Sequence, residues 1–470
     1  MDIFAGPGGL NEGFSSLEDH SNKKVFKSSI AAEMDKNAVA TLRLRKFFRY
    51  SLEENLLSSY IEYISSDRPD PYDVTNKELW LNAEHEATQI TLGSDEGNNT
   101  FDRLIQKEKL EKNHWVLLGG PPCQAYSNIR RWSYRTEHGH DLSSDHRAHL
   151  YKEYLRILSK FGPSVFVMEN VKGILSSNFF EQIISDLKSV KYKGLNYNIY
   201  SLVDKKDLFS DVSDYVVKSE LFGVPQARHR VILVGVRSDI NKTPRTLESS
   251  RFQTSIHDAI SDLPRLRSGF SKTPNTDVDW LSFMQKNLRK MSKEYNLPLY
   301  EASELMQMSQ DLTVSKKNNE FYNFIRKNSL DFITNHETRG HLESDVMRYA
   351  FSALYAKKHD KSPQTNDFPD LLTANHKNWK SNKFTDRFRV QLSNKPASTI
   401  TSHISKDGHA YIHYDPVQAR SLTVREAARV QTFPDNYHFE GPRTEQYKQV
   451  GNAVPCLLAK KIASIVSELF

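Results

Sequence analysis

Four short, continuous apolar runs constrain the fold of this chain more than any other feature. They span residues 29–32, 115–118, 165–168 and 231–236 and are flanked by glycine, proline or polar residues. A continuous run is typical of a strand that is buried on both faces of a parallel sheet. Helix-like stretches, such as residues 36–48 and 146–161, lie between the runs. This alternation predicts an α/β fold with a doubly wound sheet.

The alternation stops after Arg237. Residues 238–394 are rich in lysine, serine and asparagine and contain little glycine, which predicts a second, smaller domain or a large insertion. Amphipathic helical patterns return at residues 423–430 and 457–469. We therefore expect three segments, 1–237, 238–394 and 395–470. Polar and turn-forming residues also predict loops at 67–71 and 95–99.

Composition limits the possible classes of protein. The chain has 470 residues, 64 Lys and Arg against 58 Asp and Glu, and a formal charge of +6, which is a modest bias toward a polyanionic partner. Its two cysteines, Cys123 and Cys456, cannot build a disulfide framework. No apolar run approaches the roughly 18 residues of a membrane span. We expect a cytoplasmic protein that does not enter a membrane.

A glycine-rich turn opens the chain as Asp2-Ile3-Phe4-Ala5-Gly6-Pro7-Gly8-Gly9-Leu10. Such a turn, placed between a strand and a helix, lets the backbone approach a ligand. Glu33 ends the second apolar run, where a nucleotide-binding βαβ unit places its ribose-binding acid. The simpler alternative is a tight turn followed by a surface glutamate.

A cysteine follows the second of the four runs, in Gly119-Gly120-Pro121-Pro122-Cys123. Loops at the carboxyl ends of the strands form the active site of a doubly wound sheet, so Cys123 is a candidate nucleophile. Arg130, Arg131 and Arg135 would lower the pKa of its thiol if they approach it. A buried structural cysteine is the alternative.

Two further segments place charged groups near strand ends. Glu169 lies at the end of the third run, where partial desolvation would raise its pKa and suit it to hold a proton. Arg228 and Arg230 precede the fourth run in Gln-Ala-Arg-His-Arg, and their alternation predicts that both point to one face. A helix-capping acid and a solvated basic turn are the respective alternatives.

Taken in order, these segments resemble the motifs of the DNA (cytosine-5) methyltransferase family. The resemblance extends to the Arg425-Glu426-Ala427-Ala428-Arg429 segment and to the closing Gly451-Asn452-Ala453-Val454 segment, and it covers residues 1–237 and 395–470. It implies a Rossmann-like, S-adenosylmethionine-dependent methyltransferase domain that residues 395–470 complete. It also implies that residues 238–394 form a target-recognition domain.

The resemblance also assigns roles to individual residues. Cys123 would add to carbon 6 of cytosine, and Glu169, Arg228 and Arg230 would hold the base. The S-adenosylmethionine site would be lined by Phe4, Gly6, Gly8, Gly9, Glu33, Met34, Ile90, Pro122, Asn452 and Val454. DNA contacts would come from Gln124, Ser127, Arg130 and Arg131. The family's adenine-contacting Asp is replaced here, with Gln89 as the nearest match.

The chemistry of this family needs no metal. His138, His140, His146 and His149 could suggest zinc, but no nearby cysteine completes a common zinc site, and we interpret them as part of a solvated or DNA-facing loop.

The implied function is sequence-specific methylation of carbon 5 of a flipped-out cytosine in double-stranded DNA. We expect a monomer that works beside a separate restriction endonuclease. A tRNA cytosine-5 methyltransferase is an alternative, although its Cys-Phe-Thr signature is missing because no cysteine lies between Cys123 and Cys456. A catalytically silent DNA-binding relative is the other.

Overall fold

The computed structural model describes most of the chain. The described residues are 1–66, 68–108, 110, 114–122, 150–176, 179–203, 212–272, 276–300, 318–374, 379 and 386–470. Cys123, Gln124, Ser127, Arg130 and Arg131 lie outside them.

A mixed sheet forms the centre of the molecule. In the described part of the chain its eight strands are Asp2–Ile3 (β1), Ala31–Glu33 (β2), Ala87–Gln89 (β3), Val116–Gly119 (β4), Val165–Val171 (β5), Tyr197–Tyr200 (β6), Val216–Lys218 (β7) and His229–Arg237 (β9). Their order is β3-β2-β1-β4-β5-β9-β6, with β7 also paired to β9. Gln226–Ala227 (β8) pairs instead with Ala397–Ser398 (β10). Strands β1 to β5 are parallel, whereas β9 is antiparallel to β5.

The chain winds outward from β1 in both directions, so the strand order reverses between β1 and β4. Ligands bind at such a reversal in doubly wound sheets, outside the carboxyl ends of the strands.

Helices cover both faces of the sheet, and others pack away from it. In the described part of the chain the α-helices are Gly9–Ser16 (α1), Lys36–Glu53 (α2), Ser58–Ser65 (α3), Lys77–Glu86 (α4), Asp95–Lys107 (α5), Tyr151–Phe161 (α6), Phe179–Ser189 (α7), Ile256–Ile260 (α8), Asp277–Tyr295 (α9), Glu320–Ile325 (α10), Glu343–His359 (α11), Val424–Val430 (α12), Arg443–Asn452 (α13) and Cys456–Ser467 (α14). Leu117 and Phe166 pack in a cluster with α5, α6 and α7, while Val116 and Val167 pack with α1 and α14. The predicted doubly wound α/β fold is confirmed.

Two glycines let α1 pack closely against the end of the chain. A Cβ atom at Gly9 would overlap the carbonyl oxygen of Val454, and one at Gly13 would lie 2.5 Å from the backbone nitrogen of Lys460. Helix α14 therefore lies against the helix that follows the glycine-rich turn.

The four predicted strands agree with β2, β4, β5 and β9 to within a few residues at each end. The loop predicted at 95–99 is wrong because α5 begins at Asp95. The Ser94 side chain caps this helix by accepting from the Gly97 N–H at 3.1 Å, and Asp95 and Glu96 in the first turn favour the positive end of the helix dipole.

Residues 238–394 contribute to two hydrophobic clusters. The first contains α8 and α10 together with α12 and residues from Ala397 to Leu457. The second contains α9 and α11 together with Phe388, Ile412 and Val417. Side chains from both sides of position 394 therefore share each cluster.

A buried ion-pair network joins the first cluster across the same position. The Arg429 guanidinium donates to Asp435 at 2.7 Å and to Asp262 at 2.6 Å. Arg326 also forms ion pairs with Asp262 and Asp435. Arg429 is fully buried.

Residues 443–467 include a stretch that is apolar and long enough to cross a membrane, but 72% of this window is buried in the protein. The chain leaves the helical conformation at Ala453, between α13 and α14. Packing of α14 on α1 and on the sheet accounts for the apolar composition.

Candidate active site

The glycine-rich turn connects β1 to α1 through an unusual backbone path. Phe4 and Gly6 have φ values of 54° and Gly8 has a φ of 88°, so three of its residues adopt left-handed conformations. Glycine adopts such values readily, whereas a bulky residue such as Phe4 does so at a cost in energy. Among the described residues, and apart from its two neighbours in the chain, no atom lies within 4 Å of the position of a Cβ on Gly6, so the described part of the chain leaves this side of the turn open.

The Glu33 side chain binds the turn from the end of β2. Its carboxylate accepts hydrogen bonds from the backbone N–H groups of Gly6 at 2.8 Å, Met34 at 2.8 Å and Asp35 at 2.9 Å. The turn and Glu33, which the sequence assigned to one site, are therefore in direct contact. A carboxylate has about four lone-pair positions and can still accept from a ligand hydroxyl.

The other predicted cofactor residues of β2 and β3 lie beside Glu33. Met34 is 60% exposed and Ile90 is buried. The side-chain amide of Gln89 donates to the Met34 carbonyl at 3.0 Å, and the Ile90 N–H donates to the Glu33 carbonyl at 2.9 Å. These hydrogen bonds join the end of β3 to the end of β2, next to the glycine-rich turn that Glu33 binds.

The C-terminal segment contacts the start of α1, directly after the glycine-rich turn. Val454 is buried with its carbonyl against Gly9, and Asn452 is exposed at the end of α13. The first and last predicted motifs of the chain thus meet in space.

A partly buried ion pair lies beyond the carboxyl end of β4. The Glu169 carboxylate, on β5, is 2.9 Å from Nε of Arg230 on β9, and each side chain is 13% exposed. A Cβ on Gly120 would be 2.8 Å from Oε2 of Glu169, so the backbone that leads to Cys123 passes directly beside this carboxylate. Such a pair can present a carboxylate and a guanidinium to a planar polar ring.

Arg228 is placed differently from Arg230. It is 2% exposed, and its guanidinium donates to the carbonyl oxygens of Ile400 at 2.7 Å and Gly451 at 3.2 Å. It lies between β8 and β9, where the chain is not a regular strand, so the alternation expected from the sequence does not hold. Arg228 therefore connects the segment after β10 and the end of α13 to the start of β9.

Pro122 is half-buried just after β4, and the residues that follow it lie outside the described part of the chain. These include Cys123 and all four predicted DNA contacts, Gln124, Ser127, Arg130 and Arg131.

Two residues that the sequence analysis did not assign to the site connect its parts. The Asn170 amide donates to the Pro121 carbonyl at 3.3 Å, beside the Glu169–Arg230 pair. The side chain of buried Gln226 accepts from the Ile400 N–H at 2.7 Å and donates to Gln431 at 2.9 Å. Gln226 is the first residue of the Gln-Ala-Arg-His-Arg segment and Asn170 directly follows Glu169, so their positions in the sequence were the available signal.

Burial and charge stabilise α1 under the turn. Glu12 pairs with Arg45 at 2.6 Å and also with Arg49. Although burial opposes ionisation, the two guanidinium groups lower the pKa of Glu12 to about 2.

Among the described residues no group of three or more His, Cys, Asp or Glu side chains could hold a metal ion, and the four histidines of 138–149 lie outside them.

Known proteins are similar to this chain over most of its length. A family model described as C-5 cytosine-specific DNA methylase matches residues 94–468. The type II methyltransferase M.Bpa9945I of Bacillus paralicheniformis is 33% identical over 490 residues, covering 100% of this chain and 98% of the relative. The type II methyltransferase M.DdeI of Desulfomicrobium norvegicum is 28% identical over 370 residues, covering 75% and 72%.

The fold also has a match among solved structures. A DNA modification methyltransferase encoded within an E. coli prophage superposes with a TM-score of 0.57 at 19% identity, covering 100% of this chain and 98% of that one. At this identity the likeness concerns the fold. The family match over most of the chain, the full-length relative and the meeting of the predicted motifs lead to one conclusion: this chain belongs to the C-5 cytosine-specific DNA methylase family.

Proposed function

We propose that this protein is a sequence-specific DNA cytosine-5 methyltransferase of a restriction–modification system. It would transfer a methyl group from S-adenosylmethionine to carbon 5 of a flipped-out cytosine in double-stranded DNA. One observation carries the proposal. The glycine-rich turn follows β1 and the Glu169–Arg230 pair lies near the carboxyl end of β5. These two strands flank β4 in the parallel part of the sheet, so a methyl donor and a base could meet at the same edge.

The residues around the glycine-rich turn fit S-adenosylmethionine. The open side of Gly6 leaves room for the backbone to approach a ligand, and Glu33 retains acceptor capacity for ribose hydroxyls. Exposed Met34 offers an apolar surface for an adenine ring, and Asn452 lies at the opposite edge. When bound, the cofactor supplies an electrophilic methyl group.

The base site performs the remaining chemistry. Carbon 5 of cytosine is a weak nucleophile until a thiolate adds at carbon 6, and we assign that thiolate to Cys123. Once carbon 5 has accepted the methyl group, loss of its proton to water would break the bond between Cys123 and carbon 6, which restores the ring and the free thiolate. Glu169 would hold the proton at ring nitrogen 3, and Arg230 would orient Glu169 and the carbonyl side of the base. We assign Arg228 a positioning role because its guanidinium is already bound to backbone carbonyls.

The remaining contacts concern the duplex. Gln124, Ser127, Arg130 and Arg131 would hold DNA around the extruded base. We assign target recognition to the part of 238–394 built around α9 and α11, and we assign α8 and α10 to the catalytic body with which they pack. No step of this chemistry requires a metal.

The proposed function also suggests where the protein acts and beside which enzyme. We propose a cytoplasmic monomer that modifies the sites of a separately acting restriction endonuclease. Double-stranded DNA would be its macromolecular substrate.

Bisulfite sequencing of DNA from cells that express the chain tests the function directly. We expect methylated cytosines in one sequence context with wild type and none with Cys123→Ala. Cys456→Ala is the matched control: it removes a thiol that is buried at the start of α14 and should leave the methylation pattern intact. Methylation that persists in Cys123→Ala, or that lacks any sequence context, would contradict the proposal.

A further inference from the structure

The glycine-rich turn needs support from outside because its own backbone gives it little. Its three left-handed residues interrupt regular hydrogen bonding, and within the turn the Gly8 N–H donates to the Ala5 carbonyl at 2.9 Å. Conformations of this kind persist where the surroundings fix them. Glu33 supplies one support through the Gly6 N–H.

A second support comes from a residue far away in the chain. The Tyr437 hydroxyl donates to the carbonyl oxygen of Pro7, across 430 residues of sequence. The same hydroxyl oxygen would lie 3.3 Å from a Cβ on Gly8, so it contacts the backbone at the point where the turn enters α1. Tyr437 is 1% exposed.

The tyrosine ring is itself held firmly. The Arg45 guanidinium lies 4.7 Å from the ring centroid, and Phe433 packs edge-on at 4.8 Å. Arg45 also binds Glu12 of α1. The ring, the guanidinium and the carboxylate therefore connect the loop after α12 to the first turn of α1.

We propose that Tyr437 is a positioning residue for the cofactor turn. By fixing the Pro7 carbonyl it would set the direction of the backbone N–H groups that face the ligand, while Glu33 fixes the opposite side. The inference rests on the proposed S-adenosylmethionine site and adds to it a residue that would not touch the cofactor. It predicts that one hydroxyl group on a distant loop sets cofactor affinity.

Tyr437→Phe is the direct test because it removes the hydroxyl and keeps the ring. Tyr447→Phe is a closely matched control. Tyr447 is also 1% exposed, its hydroxyl donates to the Leu422 carbonyl at 2.7 Å, and the Arg339 guanidinium lies 4.2 Å from its ring. Both variants should lose similar thermal stability.

Calorimetric titration with S-adenosylhomocysteine should separate the two variants. We expect Tyr437→Phe to raise the Kd about tenfold and Tyr447→Phe to change it less than twofold, in line with the loss of one buried hydrogen bond at the site. In methylation assays, KM for S-adenosylmethionine should rise in Tyr437→Phe more than kcat falls.

Hydrogen exchange provides a readout that needs no ligand. Amides of the peptide covering residues 1–10 should exchange faster in Tyr437→Phe than in Tyr447→Phe. Equal affinities in wild type and Tyr437→Phe, or equal losses in both variants, would overturn the inference. If wild type itself fails to bind S-adenosylhomocysteine, the proposed function fails instead, and the exchange comparison still decides the role of Tyr437.

Discussion

Arg228 and Arg230 stand two residues apart in the chain but have different partners. The Arg228 guanidinium donates to the carbonyl oxygens of Ile400 and Gly451 and is 2% exposed. The Arg230 guanidinium instead pairs with the Glu169 carboxylate, beside the backbone that leads to Cys123.

The two arginines should therefore respond differently to substitution. We expect Arg228→Ala to lower the free energy of unfolding by about 3 kcal/mol, because it leaves buried carbonyl groups without their charged donor. Arg230→Ala should retain most of its stability but lose at least about 100-fold in kcat, since a positioned charge at a reacting group is typically worth that much. Thermal melting and methylation assays on both variants measure the two effects.

The reverse pattern, with a stable but inactive Arg228→Ala, would mean that Arg228 contacts the base. Equal loss of stability in both variants would mean that the Glu169–Arg230 pair mainly supports the fold.

At the scale of elements, the contact between α1 and α14 depends on glycine. An alanine at position 13 would place its Cβ against Ala459 and Lys460. We expect Gly13→Ala to destabilise the protein by roughly 1–3 kcal/mol, the usual range for overpacking, although alanine favours helices. Urea denaturation measures this change.

Gly173→Ala is the matched control. Within the described part of the chain its Cβ would meet only Val171, at 3.9 Å, so its effect on stability should be small. If Gly13→Ala is as stable as this control, the two helices have room to separate and the glycine is not required by packing.

Part of the candidate site was predictable because strand ends in a parallel sheet converge on one edge, which brings Glu33 to Gly6 and Glu169 to the segment before Cys123. The partners of Arg228 were not predictable, since Ile400 and Gly451 follow it by 172 and 223 residues.

Sequence patterns located four strands and four helices, because apolar runs and caps act locally. Residue 423 was predicted as the first residue of a helix and is its N-cap, with the Thr423 side chain accepting from the Glu426 N–H at 3.1 Å. The start of α5 was missed because Gly97, Asn98 and Asn99 are typical of loops. Gly97 is instead required by its close approach to the Thr91 carbonyl.

At the scale of the whole molecule, buried histidines should make stability depend on pH. Burial lowers the pKa of His336 and His438 to about 4 and that of His341 to about 3, and it lowers the pKa of His413 as well. Below about pH 6.5 the unfolded chain binds protons at these groups and the folded chain does not, so stability falls as pH falls. Asp2, whose pKa burial raises to about 7, acts in the opposite direction.

The expected change in the free energy of unfolding with pH is large. Each histidine contributes roughly 1.4 kcal/mol per pH unit, so the net loss reaches up to about 4 kcal/mol per unit near pH 5. Glu12 and Glu426, whose pKa values are lowered by their arginine partners against the effect of burial, contribute mainly below about pH 5. Urea denaturation between pH 7 and pH 5 therefore measures mainly the histidines and the opposing effect of Asp2.

His438→Gln should reduce the slope of unfolding free energy against pH by roughly 1.4 kcal/mol per unit, which corresponds to one proton. A slope that is unchanged in the variant, or stability that does not vary with pH in wild type, would contradict the burial of these histidines in solution.

The division of the chain into units was the least predictable feature. The change in composition at residue 238 marks where the strand–helix alternation ends, yet α8 and α10 pack into the first cluster with the C-terminal segment. Asp262 and Arg326, which look like ordinary surface charges in the sequence, are partners of buried Arg429. A pattern read along the chain cannot reveal a core that is assembled from three separate stretches.

The bond between Tyr437 and Pro7 has a consequence for synthesis of the protein. Its two residues lie 430 positions apart, so a ribosome that adds 5–20 residues per second completes the second roughly 20–90 s after the first. During that interval the start of the chain lacks the partner that orders it, and α1 also lacks α14. A nascent or prematurely terminated chain should therefore be unable to bind cofactor, so that methylation begins only with finished molecules.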